Sequence, residues 1–180
     1  MTKSIGILAY GSVIANPGAE IEKATTEKVE RVLTPFNVEF ARSSEKRGGA
    51  PTLVPVENGG AAVNGTIFVV KATEDDAASM LYRREIDDVG GGKRYKPPAP
   101  VTKKTAVIKR LENVAGVDVV FYTWFMATIE QVTAQNLAAL AIGSVAKSEA
   151  GRDGISYLID AKKYAIKTAL SYVFVAEIKG

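Results

Sequence analysis

Histidine and cysteine are both missing from the 180 residues of the chain. Without cysteine, disulfides, thiolate metal sites and a cysteine nucleophile are excluded. Without histidine, the commonest general base, the serine–histidine–aspartate triad and imidazole metal ligands are excluded as well. An enzyme with this composition would therefore move protons with Asp, Glu, Lys or Tyr. Carboxylates alone can bind magnesium or calcium, but no acidic loop has the required spacing, so we expect no metal and no cofactor.

Long apolar runs are lacking too. No segment approaches the roughly 20 apolar residues that a membrane-spanning helix needs. The first residues do not have the pattern of a secretory signal peptide. We therefore expect a cytoplasmic protein that does not contact a membrane. With 47% hydrophobic and 24% charged residues, the composition is that of an ordinary globular protein. The length predicts a single domain spanning residues 1–180.

Charge is unevenly distributed, although the net charge is only +3. Residues 74–88 are rich in acids, whereas residues 89–111 contain no acid and seven lysines and arginines. The basic segment has three interpretations: a solvated loop and sheet edge, a surface that attracts a small acidic substrate, or a nucleic-acid site. The third is not expected, because Tyr95 is the only aromatic residue there that could stack on a base.

Periodicity predicts an α+β fold: a curved, mostly antiparallel, barrel-like sheet with flanking helices and a helical C-terminal extension. The barrel core would occupy about residues 1–130 and the C-terminal helices about 131–180. Asn58-Gly59-Gly60 predicts a hairpin turn, and residues 27–34 fit a helix or a strand equally well. Thr73 and Thr133 are expected to cap helices. The last helix would carry Tyr164 and Tyr172 into the core. Strands are expected at 5–9, 36–40, 52–56, 63–70, 105–111 and 117–126, and helices within 17–27, from 74 to about 85, at 134–145 and at 164–173.

The loop that follows the first strand is the first candidate site. Ile5-Gly6-Ile7-Leu8-Ala9 forms an apolar run that stops at Tyr10-Gly11-Ser12-Val13. Small residues at a strand end let backbone N–H groups approach an anion. A phosphate cradle is one interpretation of such a loop, but no Walker-type lysine follows it. An ordinary turn after a buried strand is another.

Several segments in order resemble the γ-glutamylcyclotransferase-like family over roughly the first 125 residues. The first is Ala9-Tyr10-Gly11-Ser12 after the opening strand, which resembles the substrate-binding loop of that family. Arg47-Gly48-Gly49-Ala50-Pro51-Thr52-Leu53-Val54-Pro55, followed by Val63-Asn64-Gly65-Thr66-Ile67-Phe68, resembles its middle. Leu81-Tyr82-Arg83-Arg84-Glu85, with Tyr95 after a glycine-rich gap, resembles the segment that carries the catalytic glutamate of the family.

The resemblance implies a six-stranded barrel-like sheet and release of 5-oxoproline from a small acidic γ-glutamyl metabolite, without a cofactor. It implies that Glu85 is the general acid/base. Residues that would bind the substrate are Tyr10, Gly11, Ser12 and Val13 in the loop, Tyr122 on a central strand, and Arg47 and Gly49 in the middle segment. No metal, nucleic acid or membrane is expected, and the oligomeric state is left open.

The chain also departs from the family pattern. Val13 and Ile86 occupy positions where members often have other residues, and residues 87–101 form a glycine- and proline-rich insert. These departures leave open an alternative function: a non-catalytic module on the same fold that binds a small acidic ligand or a partner.

Overall fold

The computed structural model describes residues 2–179, which have a mixed α+β architecture, as the sequence predicts. In chain order, the strands are β1 (Ile5–Ala9), β2 (Thr25–Leu33), β3 (Val38–Ser44), β4 (Ala50–Pro55), β5 (Asn64–Val70), β6 (Val107–Val114) and β7 (Val117–Trp124). The helices are α1 (Ser12–Ala15), α2 (Ala19–Ala24), α3 (Glu74–Glu85), α4 (Ala134–Ser144), α5 (Gly154–Lys163) and α6 (Ser171–Lys179).

The chain divides into two compact units, and each unit is made of two separate stretches of sequence. The first unit comprises the residues up to Val32 together with Gly65–Phe125. The second comprises Leu33–Asn64 together with the residues from Met126 onward. Every predicted site residue except Arg47 and Gly49 therefore belongs to the first unit.

A five-stranded sheet in the order β2–β5–β1–β7–β6 forms the centre of the first unit. β1 pairs with β5 in antiparallel and with β7 in parallel orientation, and β6 is antiparallel to β7. β1 is buried along its whole length, which explains its uninterrupted apolar sequence. The expected sheet with mainly antiparallel pairing is thus present, while its closure into a barrel stays a prediction.

Helix α3 packs on this sheet and delivers Glu85 at its C-terminal end. Thr73 caps the helix, as predicted, because its hydroxyl accepts a hydrogen bond from the Asp76 N–H at 3.2 Å. Acidic residues fill the first turn and arginines the last turn, so both ends complement the helix dipole. The buried face of α3 contacts apolar side chains of β1, β5 and β7 in one core cluster, which includes Ala77, Met80 and Leu81 of the helix.

The second unit combines the antiparallel pair β3–β4 with helices α4, α5 and α6. A buried aromatic group lies at its centre, where Phe40 of β3 makes edge contacts with Tyr157 of α5 and Phe174 of α6. Thr133 caps α4 as predicted. The C-terminal helices therefore pack on β3 and β4, two strands that lie within the barrel core predicted from the sequence. No helix within residues 2–179 is both long and apolar enough to cross a lipid bilayer.

Three local predictions are resolved by the structure. Residues 27–34, which fitted a helix or a strand, lie largely in β2. The turn at Asn58-Gly59-Gly60 does not close a hairpin, because β4 pairs with β3 whereas β5 pairs with β1. The prediction of one final helix with a core Tyr172 was wrong: α5 and α6 flank a non-helical segment, and Tyr172 is 86% exposed.

Candidate functional site

The loop after β1 is fastened to β7 by Tyr10. The Tyr10 ring is buried, and its hydroxyl donates a hydrogen bond to the backbone carbonyl of Thr123. Gly11 has extended backbone angles and precedes the four-residue helix α1. Within the loop, the Ile14 N–H bonds to the Gly11 carbonyl and the Asn16 N–H bonds to the Ser12 carbonyl, both at 3.0 Å. Backbone bonds and the Tyr10 hydroxyl thus fix the conformation of the loop.

Glu85 lies at the end of α3 and contacts the same residue of β7. Its Oε1 accepts a hydrogen bond of 2.9 Å from the Thr123 hydroxyl. Thr123 is 5% exposed and the Glu85 side chain 11%, so the carboxylate is mostly shielded from water. Thr123 shares a face of β7 with Val119 and Phe121, which contact the α3 core cluster, because side chains alternate along a strand. This alternation places the Thr123 hydroxyl toward α3.

Arg84 joins the loop to Glu85. Its Nη2 donates to the Ser12 hydroxyl at 3.1 Å, and its Nε donates to the Asn16 carbonyl at 3.0 Å. Its Nη1 lies 3.4 Å from Oε2 of Glu85. The guanidinium therefore touches both ends of α1 and the carboxylate at once. The Arg84 side chain is only 16% exposed, which limits screening of these contacts by solvent.

These contacts bring together Glu85 and the loop that contains Tyr10 and Ser12, within the first unit. Gly11 lies between those two residues, and Val13 packs partly against the core cluster. Arg84 and Thr123 were not predicted from the sequence as site residues. A polar threonine on the helix-facing side of an apolar strand was a usable signal for Thr123. Arg84 offered no signal beyond its place beside Glu85.

Tyr122 lies next to Thr123 on β7, so its side chain leaves the opposite face of the strand. It is 9% exposed, and burial raises the pKa of its hydroxyl. The structure therefore does not place Tyr122 on the face that carries the Thr123–Glu85 contact. A role for it in substrate binding stays a prediction.

Arg47 and Gly49 lie in the second unit, where both have local structural contacts. The Arg47 guanidinium lies over the Tyr157 ring at 4.7 Å, and its Nη1 donates to the Arg152 carbonyl at 3.3 Å. Gly49 has φ +85, and its N–H bonds to the Ser44 carbonyl at 2.9 Å. These contacts shape the turn between β3 and β4. Ligand binding by either residue stays a prediction.

A surface groove of about 570 Å³ runs between α2 and α3 in the first unit. Glu20, Lys23, Met80 and Arg83 are among its lining residues, and none of the predicted site residues lines it. Arg83 is held there by an ion pair with Glu20 at 2.9 Å. The two adjacent arginines of α3 thus have different surroundings: Arg83 lines the groove, whereas Arg84 contacts the loop and Glu85.

Within residues 2–179, no cluster of three or more acidic side chains is arranged to hold a metal ion. No protein-family model, no curated protein and no solved structure matches the chain. A function for this protein therefore has to be argued from its residues and their geometry.

Proposed function

We propose that the protein is a γ-glutamylcyclotransferase-type enzyme, which closes the γ-glutamyl group of a small acidic metabolite to 5-oxoproline and releases an amine or amino acid. One observation above all supports the proposal: a shielded carboxylate, Glu85, is linked through Arg84 to the Tyr10–Val13 loop. The proposal includes the resemblance to the family, a barrel-like closure of the sheet and a cytoplasmic location.

The reaction suits a chain without histidine or cysteine. The α-ammonium of the substrate first loses a proton to the Glu85 carboxylate. The free amine then attacks the γ-carbonyl carbon, so a C–N bond forms and closes a five-membered ring. The bond to the leaving nitrogen breaks as Glu85 returns the proton to it, and the ring nitrogen gives up its second proton to the released amine or to water. Because nucleophile and carbonyl belong to one molecule, much of the entropic cost of bringing them together is already met.

The remaining residues would bind and orient the substrate. Backbone N–H groups of Gly11, Ser12 and Val13 are the proposed donors to its carboxylate or to the developing oxyanion. Thr123 contacts Oε1 of Glu85 and Arg84 contacts Oε2. Together the two contacts fix the orientation of the carboxylate. Tyr10 would hold the loop in place through β7.

The experiment is incubation with a panel of γ-glutamyl amino acids, γ-glutamylamines and glutathione, with 5-oxoproline measured by mass spectrometry. The wild-type chain should yield product from at least one member. Glu85→Gln keeps the size and an acceptor oxygen for Thr123 but cannot take the proton, so we expect a loss of about 10²–10⁴-fold in kcat.

Glu74→Gln is the matched control, since it makes the same substitution at the other end of α3, where Glu74 pairs with Arg110. It should retain wild-type turnover. The proposal fails if no panel member gives product, or if Glu85→Gln is as active as Glu74→Gln.

One observation favours a second candidate, a non-catalytic module that binds a small acidic ligand. Both oxygens of Glu85 already have protein partners, an arrangement that also suits a purely structural carboxylate. This candidate predicts that γ-glutamyl compounds raise the melting temperature without yielding 5-oxoproline. A panel that gives neither product nor a thermal shift would count against both candidates.

A further inference from the structure

We propose that Arg84 is a positioning residue that couples the loop after β1, through Ser12 and Asn16, to the carboxylate of Glu85. The role in turnover rests on the proposed function, whereas the coupling of the two segments can be measured without it. Arg84 would not touch the substrate, and it would act through Glu85, whose Oε2 it contacts. It would act by holding the loop and the Glu85 carboxylate at a fixed distance and orientation relative to each other.

The geometry of the guanidinium carries the inference. Three different nitrogens of one rigid plane contact three separate points: the Asn16 carbonyl, the Ser12 hydroxyl and Oε2 of Glu85. A planar fork of this kind fixes the relative positions of its acceptors, which a point charge cannot do. Ser12 is the first residue of helix α1 and Asn16 directly follows its last residue, so one side chain holds the short helix at both ends.

Close packing around the Arg84 stem supports the same conclusion. A Cβ added to Gly18 would lie 3.4 Å from Cγ of Arg84, and Gly18 has φ +87, a conformation that side chains rarely adopt. The chain that leaves the loop therefore passes directly over the aliphatic part of Arg84. The side chain is enclosed by the loop on one side and by its own helix on the other.

Arg83 provides a natural comparison on the same helix. It also has a shielded side chain and an ion pair, with Glu20 at 2.9 Å, and its Nη1 donates to the Lys93 carbonyl at 2.8 Å. None of these partners belongs to the loop or to Glu85. Replacing Arg83 removes the same charge and a similar number of contacts but leaves the proposed coupling intact.

The first measurement is hydrogen–deuterium exchange of residues 11–18 in the wild type and in Arg84→Ala, Arg84→Lys and Arg83→Ala. Loss of charge-assisted hydrogen bonds should speed loop exchange by about tenfold or more in Arg84→Ala. Arg84→Lys retains the charge but lacks the planar guanidinium. Its loop exchange rate should therefore lie closer to that of Arg84→Ala than to that of the wild type. Arg83→Ala should match the wild type in this peptide. Equal loop exchange in Arg84→Ala and Arg83→Ala would overturn the coupling.

The second measurement is turnover on any substrate that the wild type cyclises. Displacement of the general acid/base should lower kcat by about 10–100-fold in Arg84→Ala. Millimolar guanidine, but not the same concentration of sodium chloride, should recover part of that loss, which a merely unstable variant would not show. Full kcat in Arg84→Ala would overturn the positioning role. A wild-type chain that gives no 5-oxoproline would instead overturn the proposed function, and the exchange measurement would still decide the coupling.

Discussion

Thr123 contributes two different groups to the candidate site. Its backbone carbonyl accepts from the Tyr10 hydroxyl, and its side-chain hydroxyl donates to Glu85. Tyr10 lies 113 positions and Glu85 lies 38 positions from it in the chain. One residue of β7 therefore fixes the start of the loop through its backbone and the carboxylate at the end of α3 through its side chain.

Replacing Thr123 by Val keeps the shape of the side chain and removes its hydroxyl. Oε1 of Glu85 then loses its donor, while the backbone carbonyl still accepts from Tyr10. We expect kcat on a cyclised substrate to fall by about tenfold, equivalent to one lost hydrogen bond of about 1.4 kcal/mol. Thr123→Ser, which retains the hydroxyl, should stay near the wild type. Equal kcat values for the Val and Ser variants would contradict a role for this bond.

Gly6 allows the close packing at the centre of the first sheet. A Cβ at this position would lie 2.5 Å from Cγ2 of Ile67 and 3.2 Å from Cγ1 of Val117. Ile67 is fully buried, and close packing in a protein core resists the shift that the added methyl group would require. Gly6→Ala should therefore lower the free energy of unfolding by about 1–3 kcal/mol, measured by urea denaturation.

The control for Gly6 is Gly92→Ala, where no atom lies within 4 Å of the added Cβ and φ is not in the left-handed region. This variant should unfold at the wild-type urea concentration or slightly above it. If both alanine variants had the same stability, the packing argument for Gly6 would be wrong.

Helix starts are the elements that the sequence predicts best, because an N-cap is a local interaction. Thr73 and Thr133 cap α3 and α4 as predicted, each with its hydroxyl accepting the N–H of the third residue after it. Asp153 caps α5 in the same way, and its place before Gly154-Ile155-Ser156 was an unused signal for that helix. Such signals do not depend on the rest of the fold.

Pairing between distant strands could not be predicted in the same way. The turn at Asn58–Gly60 has hairpin chemistry, yet the strands beside it join different sheets, because burial of each strand depends on partners elsewhere in the chain. The candidate site shows the same division. Glu85 and the Tyr10 loop were predicted as site residues from the family resemblance of segments that occur in the same order, whereas the contacts of Thr123 and Arg84 depend on the parallel pairing of β1 with β7 and on the packing of α3.

Asp153 makes the stability of α5 depend on pH. Its pKa is lowered, chiefly because the backbone N–H of Ser156 donates to the carboxylate at 2.9 Å. A carboxylate whose pKa is lower in the folded than in the unfolded protein stabilises the folded state. This stabilisation is complete above the unfolded pKa of about 3.9 and is lost as the pH falls through the folded pKa. Asn retains a capping oxygen but does not titrate. We therefore expect the free energy of unfolding of the wild type to fall relative to that of Asp153→Asn as the pH drops below about 4.

Urea denaturation at pH 7 and at pH 3 measures this difference. Asp153→Ala is the companion variant, and loss of the cap should cost it about 0.5–2 kcal/mol at pH 7. A difference between wild type and Asp153→Asn that is the same at both pH values would show that the carboxylate does not couple α5 to pH.

Across the first unit as a whole, the acid-rich and base-rich segments pair with each other. Arg94 lies 3.1 Å from Asp76, and Arg110 lies 2.8 Å from Glu74. Arg110 lowers the pKa of Glu74, and hydrogen bonds from Thr73 and then Arg94 lower that of Asp76. β6, which carries Arg110, is also the last strand of the sheet. These contacts favour the interpretation of the basic segment as a solvated loop and sheet edge.

The second unit has an aromatic core of its own, and α6 depends on it. Phe174 is 1% exposed and is the one buried residue among those described in α6. Its ring makes an edge contact with Phe40 at 5.2 Å between centroids. Since the rest of α6 buries little apolar surface, this one side chain should hold the helix in place.

Phe174→Ala should therefore cost about 3–5 kcal/mol and release α6. Hydrogen–deuterium exchange should rise first in peptides from α6 and α4, which pack together, while β1 of the first unit serves as the reference peptide within the same sample. Tyr172→Ala is the matched control, because Tyr172 belongs to the same helix but is 86% exposed. It should change stability by less than about 0.5 kcal/mol. The anchoring role of Phe174 fails if the two variants exchange alike in α6, or if protection in Phe174→Ala is lost in β1 before it is lost in α6.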